Sequence, residues 1–344
     1  MSEGEEKLKW LPHYSIKDHT VFFMNSVNTD IAVPEELSAL IEAGSVFTSE
    51  EIEKTANRVV LSRLMNEGVI VKLKNYNSMG KMPLGRALAI QPHCDDLALS
   101  CGGTLARLKF EQGFDIHCIT VFGSYTKESF PWKGEVCMED DSYTLLRKEE
   151  DLLAFQYFNG KVEFLPYRDA AQRGTALNFI FRDGIFKKDL PMVSAITADL
   201  GRAIQSLNPE ILLMPSAIGW HYDHRIVHTA VLNALSDQKL NVRVYMYEDY
   251  PYCDGNRYSY WGRLKEIRDS FQIEPFYSNV SDFIGDKAVM INFYKSQLVH
   301  WNYDKILRTV KELAQSTIIE AEFQNHSVSA NAVLAERLWK LSEK

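Results

Sequence analysis

No stretch of the 344 residues reaches the roughly 18 uncharged apolar positions of a membrane-spanning helix, so no membrane role is expected. Cysteine is sparse and unpaired. The set Cys94, Cys101, Cys118, Cys137 and Cys253 is odd in number, scattered and free of CxxC. That disfavours both a disulfide framework and a thiolate zinc knuckle, and most of these thiols read as small reduced groups in or near the core. Basic residues are the scarcer charge, 38 Lys and Arg against 46 Asp and Glu. The net charge of -8 disfavours nucleic acid and anionic membrane surfaces as partners. P-loop, GxGxxG, GxSxG and HExxH patterns are missing, so nucleotide binding and serine chemistry have no support. Internal repeats and low-complexity tracts are missing too. Met1 to Lys9 is acidic with no apolar run behind it, so no secretory leader is read and the expected location is cytoplasmic. What remains is an ordinary globular composition, 46% hydrophobic and 24% charged. At about 150 residues per domain, the length predicts roughly two domains.

Residues 1–80 read as a small α+β unit. Val21 to Met24 suggest a strand, and Pro34 opens a short helix through Leu37, Leu40 and Ile41. Thr48 and Glu51 form a capping box. Behind it Ile52, Ala56, Val59, Val60, Leu64 and Met65 make one apolar stripe of helical period, stopped by Gly68. A strand Val69 to Leu73 follows, and the polar segment Lys74 to Pro83 is the candidate linker. From residue 81 to 344 strands alternate with helices: strands are read at Leu84–Ile90, Ile116–Phe122, Val162–Leu165, Glu210–Met214 and Val242–Tyr247. This order predicts an α/β fold, a Rossmann-like and mostly parallel sheet with helices on both faces. Ligands of such sheets sit beyond the carboxyl ends of the strands. The long loop Gly123 to Tyr143, with Phe130, Pro131 and Trp132, is a candidate lid.

Two polar clusters follow two of those strand ends: Gln91-Pro92-His93-Cys94-Asp95-Asp96 and Gly219-Trp220-His221-Tyr222-Asp223-His224. His93 and Asp96, three apart at the opening turn of a helix, point the same way. A nitrogen of His224 would complete a His-Asp-His triad, and three protein ligands with an open position describe a catalytic divalent site, usually zinc. Asp95 is placed to take a proton from an activated water. His221 is placed to donate a proton or stabilise an oxyanion, and Asp223 to orient an imidazole. Taken alone, HxxD is more often a surface histidine and a helix-capping aspartate, and a lone HxDH is also more often unrelated to metal. Together, each at a strand end, they favour a metal site. Gly102 and Gly103 allow a close backbone approach behind it.

The segment PHCDDLALSCGGTLA, Pro92 to Ala106, resembles the AHPDDE…GGT signature of the PIG-L/LmbE-like deacetylases. The segment PSAIGWHYDHRIVH, Pro215 to His228, resembles that family's P…GxHxDHxxV signature. Arg147, Glu150 and Ala154 are similar to its RxxExxxA helix, Arg168 and Asp169 to its RDS segment, and Lys287 through Gln297 to its K…AI…SQ helix. The resemblance spans residues 84–297. It implies hydrolysis of an N-acetyl group from an amino sugar in a small glycoconjugate or secondary metabolite, with one zinc, or ferrous iron, as cofactor. It further implies metal ligands His93, Asp96 and His224, a general base Asp95, and an acid or oxyanion partner His221 with Asp223 as its supporting carboxylate. Arg147 and Asp169 would contact the sugar or its aglycone; Arg147 otherwise reads as a solvated helix residue and Asp169 as a turn residue. Trp220, like Tyr222, Tyr250 and Tyr252, lies on a loop or strand end where it would stack on a sugar face, or simply pack. Two positions depart from the pattern: Cys94 stands where the family has Pro, and Leu97 where it has Glu. Cys94 as a fourth, site-closing ligand is the less favoured reading.

Residues 1–80 resemble the PqqD-like peptide-recognition modules of winged-helix shape, which implies a peptide or protein partner; shaping the site entrance or forming a homo-oligomer are the alternatives. Two competing functions remain open: a degenerate, non-catalytic scaffold, and a metal-dependent hydrolase of another amide or ester. The intact set His93, Asp95, Asp96, His221 and His224 speaks against the scaffold.

Overall fold

A computed structural model describes the chain apart from residues 1–6, 11–13, 24–26, 45, 74–83, 125–139, 176–179, 237–241, 255–256, 299–300 and 343–344. The candidate linker and most of the candidate lid, with Trp132 and Cys137, lie outside the described residues. The first 73 residues contribute β1 (Lys7–Trp10), β2 (Tyr14–Lys17), β3 (Thr20–Phe23), β4 (Val27–Ala32), α1 (Glu35–Ala43), β5 (Val46–Thr48), α2 (Ser49–Thr55), α3 (Arg58–Asn66) and β6 (Ile70–Leu73). They form two antiparallel sheets, β5-β1-β6 and β2-β3-β4. The capping box is formed, Glu51 N–H to Thr48 Oγ1 at 3.1 Å and Thr48 N–H to the Glu51 carboxylate at 2.8 Å. The stripe behind it is two helices rather than one. Ala56 is extended, and the Asn57 side chain accepts the N–H groups of Val59 and Val60, each at 3.0 Å, starting α3 afresh. A short amide that competes for backbone donors breaks a helix whose apolar spacing would carry on.

The rest of the chain builds a seven-stranded sheet. In chain order its elements are β7 (Gly85–Gln91), α4 (Asp96–Phe110), β8 (Phe114–Thr120), α5 (Asp140–Gln156), β9 (Lys161–Phe164), α6 (Leu190–Leu207), β10 (Ile211–Pro215), α7 (Tyr222–Ser236) and β11 (Arg243–Tyr247). They are followed by α8 (Arg257–Ser270), β12 (Gln272–Asn279), α9 (Ile284–Asn292), α10 (Tyr303–Phe323) and β13 (Ala335–Ser342). The strand order is β12-β13-β11-β10-β7-β8-β9, parallel from β11 to β9, with β13 and β12 added antiparallel at one edge. The expected mostly parallel sheet is present. β12, β13, α8 and α10 were not read from sequence. Alternation along β7 assigns the two faces: Ala87 and Ala89 pack with α4, α5, α9 and α10, whereas Leu88 and Ile90 pack with α6, α7 and α8. Apolar residues of the first 73 positions, among them Trp10, Phe23 and Leu64, belong to the same cluster as the first of those faces.

The path from β7 to β8 to β9 moves outward on one side, and the chain then returns to place β10 on the other side of β7. The carboxyl ends of β7 and β10 therefore flank the point where strand order reverses, the crevice in which open α/β sheets hold ligands. Both polar clusters sit there.

Candidate active site

The first cluster is folded by its own hydrogen bonds. The His93 backbone N–H donates to Asp96 Oδ2 at 2.8 Å, and Leu97 N–H donates to Gln91 Oε1 at 3.1 Å. Asp95 takes up the left-handed region, φ 105°, at the sharp turn into α4. Asp96 opens α4, where unpaired N–H groups and the helix dipole favour a negative charge. In the second cluster Ala217, Gly219 and Trp220 all have positive φ. At Gly219, φ 91°, a Cβ would lie 2.3 Å from the Tyr252 carbonyl oxygen, so only glycine fits. This sharp loop starts α7 at Tyr222, and Asp223 and His224 project from its first turn.

The two clusters meet. His224 Nε2 stands 3.3 Å from Asp96 Oδ1, and His93 Nδ1 stands 3.4 Å from Asp96 Oδ2. His93, His221 and His224 each present a ring nitrogen, the three lying within 4.8 Å of one another. The outer nitrogens of two rings are held by carboxylates: His93 Nε2 to Asp223 Oδ2 at 2.9 Å, and His224 Nδ1 to Asp249 Oδ1 at 2.6 Å. A carboxylate only accepts, so each pairing puts N–H on that side and aims the other nitrogen at Asp96, where a cation could take the place of its proton. His221 Nδ1 is buried without a hydrogen-bond partner among the described residues.

Electrostatics fit the same picture. Burial opposes the charge on His93, yet hydrogen bonds to Asp223 and Asp96 push its pKa up to about 9. His224, likewise buried, is pushed up to about 10 by Asp96 and Asp249. Burial also opposes ionisation of Asp96, but His224 and His93 hold it well below the usual carboxylate range. Asp95 is raised, chiefly by burial, against the pull of the Arg147 guanidinium. His221 is depressed by burial and by the neighbouring imidazoles, so its ring is neutral. Asp96, Asp223 and Asp249 bond these histidines, and Arg173, 2.6 Å from Asp223, is the one cation hydrogen-bonded to any of them among the described residues. Three negative charges against one positive leave room for a dication, which would replace the protons on His93 and His224. Imidazole and carboxylate donors suit zinc or a similar ion.

The family described as "PIG-L: GlcNAc-PI de-N-acetylase" matches residues 88–235. A 2'-N-acetylparomamine deacetylase from Niallia circulans is 30% identical over 241 residues, covering 61% of this chain and 80% of that protein. The chain belongs to the PIG-L family. A second 2'-N-acetylparomamine deacetylase, from Streptomyces fradiae, is 28% identical over 221 residues, covering 62% of this chain and 74% of that protein. The crystal structure of the zinc-inhibited form of teicoplanin deacetylase Orf2 shares the PIG-L fold, with a TM-score of 0.56, 22% identity, and coverage of 75% of this chain and 98% of that one.

Several PIG-L motif residues do structural work. Glu150 accepts both the backbone N–H and the hydroxyl of Ser296, each at 2.6 Å, which ties the RxxExxxA-like helix to the SQ-like segment. Lys287 pairs with Glu336 at 2.7 Å, and Gly103 packs so close to Val280 that a Cβ there would lie 2.9 Å from it. Leu97 and Cys94, the two departures from the PIG-L pattern, are fully buried in the apolar cluster behind the site.

The remaining expected residues are placed as follows. Asp223 bonds His93, the Ala170 N–H at 2.8 Å and Arg173, and it does not bond His221. The register between the two loops decides this. Arg147 is buried, donating to the Cys94 carbonyl and standing 3.5 Å from Asp95. Asp169 is buried in a turn, where Oδ1 accepts the Gln172 N–H at 2.8 Å. The Trp220 ring lies against Gly262 of α8. Tyr222 is buried and donates its hydroxyl to Asp189 at 2.6 Å. Two residues of the site escaped the sequence reading. Asp249 follows β11, a position at a strand's carboxyl end that could have flagged it. Arg173 carries no motif. Tyr252, expected to stack on a sugar face or simply to pack, has its ring on His221 at 4.8 Å.

Proposed function

We propose that this chain is a metal-dependent N-deacetylase that releases acetate from an N-acetylated amino sugar in a secondary metabolite. The observation that carries the proposal is the convergence of His93, Asp96 and His224 at the switch point of the sheet, with Asp95 and His221 beside them. The names of the 2'-N-acetylparomamine deacetylases support the substrate class. His93, Asp96 and His224 would hold the cation, zinc or ferrous iron. When bound, the ion supplies Lewis acidity, polarising the amide carbonyl and acidifying a water beside it.

The other steps fall to the protein. Asp95, its proton affinity raised by burial, accepts the proton of the attacking water and hands it to the departing amine. Arg147 keeps the Asp95 carboxyl in place and tempers that rise. His221, neutral, donates one ring N–H to the oxygen that gains charge in the tetrahedral intermediate. Asp223 and Asp249 fix the ring orientations of His93 and His224. No helix among the described residues is long and apolar enough to cross a membrane, which suits a small soluble substrate.

We assign residues 1–80 as an accessory module and 81–344 as the catalytic domain. The order α1-β5-α2-α3-β6, with β1 between β5 and β6, supports a winged-helix-like reading of that module and a peptide or protein partner for it.

The test is acetate release from 2'-N-acetylparomamine and a panel of N-acetylhexosamine conjugates by protein of measured zinc content. Zinc-loaded protein that releases none would overturn the proposal. A second reading follows from the ring-nitrogen spacing, with His221 as a metal ligand beside His93 and His224. Zinc content of His221→Ala separates the two: the first reading expects it unchanged, the second expects it lost.

A further inference from the structure

Among the described residues, His221 is the imidazole of the cluster that no carboxylate holds. Its side chain has no hydrogen bond among the described residues, and Nδ1 is buried and unpartnered. Aromatic rings surround it instead. Tyr252 lies on its face, with centroids 4.8 Å apart and planes 30° apart, and Phe181 meets its edge at 5.6 Å and 80°. The two aromatic rings also touch each other, at 5.6 Å.

Both rings are themselves anchored. The Tyr252 backbone fills the space left by the missing side chain of Gly219, and the next N–H, of Cys253, donates to the Asp249 carbonyl at 3.0 Å. Phe181 pairs across a short bridge with His221 itself, flanked by Tyr222 N–H to the Ile180 carbonyl at 2.7 Å and Arg182 N–H to the Trp220 carbonyl at 3.2 Å. Phe181 is 54% exposed, so its outer face lies at the mouth of the site.

We propose that Tyr252, assisted by Phe181, is the positioning residue of His221, and that an aromatic clamp here replaces the supporting carboxylate. The physical distinction is sharp. A carboxylate would orient the ring and also load it with a second proton, whereas stacked rings orient it through shape and dispersion alone. The ring then offers its N–H to a developing oxyanion with no reorganisation at the moment of reaction. Tyr252 touches no reacting atom in this scheme and acts through His221. The inference rests on the reading of His221 as a donor to the amide oxygen.

A double-mutant cycle tests it. Tyr252→Leu should lower kcat on the order of 10- to 100-fold, the scale of a misplaced catalytic group, with KM nearly unchanged and zinc content intact. Tyr252→Phe, which keeps the ring, should retain near-normal kcat. In a His221→Ala background, Tyr252→Leu should cost nothing further. An equal loss in both backgrounds, or a Tyr252→Phe enzyme as slow as Tyr252→Leu, overturns the clamp. If Tyr252→Leu does not fold, Phe181→Leu runs the same cycle, with a smaller loss of kcat expected in the native background alone.

Nitrogen-15 NMR of the histidine rings separates failure of the clamp from failure of the deacetylase reading. A His221 ring that becomes conformationally averaged in Tyr252→Leu supports the clamp even if the wild type releases no acetate from any substrate. An unchanged His221 signal in that variant overturns it.

Discussion

One half of the pocket is lined by carboxylates and the other by aromatic rings. His93 and His224 lie in the first half, each with an acidic partner behind it and each with a proton affinity above that of a free imidazole. His221 lies in the second half, against Tyr252 and Phe181, with its proton affinity depressed. The same side chain thus stands in two environments within 4.8 Å, and the proposed reaction gives each its own task. Acidic backing makes an imidazole a strong, oriented donor of electrons to a cation. Apolar walls keep a neighbouring imidazole neutral and directional. Environment, rather than residue type, divides the labour.

That division predicts a ranked set of losses. The largest belongs to His224→Ala, which removes a proposed ligand from the acidic half: zinc should be absent by elemental analysis, and acetate release should fall to background. Next comes Asp95→Asn, which keeps zinc and lowers kcat on the order of 10²- to 10⁴-fold, the range for a lost general base; an unchanged kcat would remove the base assignment. Third, Asp249→Ala and Asp223→Ala should each weaken zinc affinity roughly 10- to 100-fold, as loss of a partner behind a ligand does, measured by competition with a chromogenic chelator. An Asp223→Ala variant with native zinc affinity but low kcat would instead place that carboxylate with His221. Smallest is Leu145→Ser on the outer face of α5, where the side chain is 67% exposed. Its effect on stability should stay within about 0.5 kcal/mol, and its activity should be native.

The meeting of His93, Asp96 and His224 was largely legible in the sequence, because local spacing sets it. His93 and Asp96 share one helix opening, His221 and His224 share another, and both follow apolar strands whose parallel pairing brings their ends together. The backing groups were not legible. Asp249 lies 25 residues beyond His224 in the chain and reaches it only through the pairing of β10 with β11. Whether Asp223 would serve His93 or His221 depends on the relative offset of two loops, which spacing within either loop does not fix. Tyr252 reaches His221 through the close approach that Gly219 permits, a contact that leaves no trace in hydrophobic period. In the fold, Asn57 hid a helix break inside a continuous apolar stripe. The antiparallel pair β12 and β13 escaped because charged and polar residues, and Pro275 in β12, interrupt their apolar runs, unlike the continuous run of β10.

Glu336, near the far end of the chain on β13, accepts Gly103 N–H at 3.1 Å, Thr104 N–H at 2.7 Å and the Thr104 hydroxyl at 2.6 Å, besides pairing with Lys287. The helix that carries Asp96 is thereby latched by a residue synthesised more than two hundred positions later. During translation the turn that carries His93 and Asp96 can form early but cannot be latched until Glu336 has been made, so a nascent chain stalled before that glutamate would carry the two side chains without the brace that steadies them.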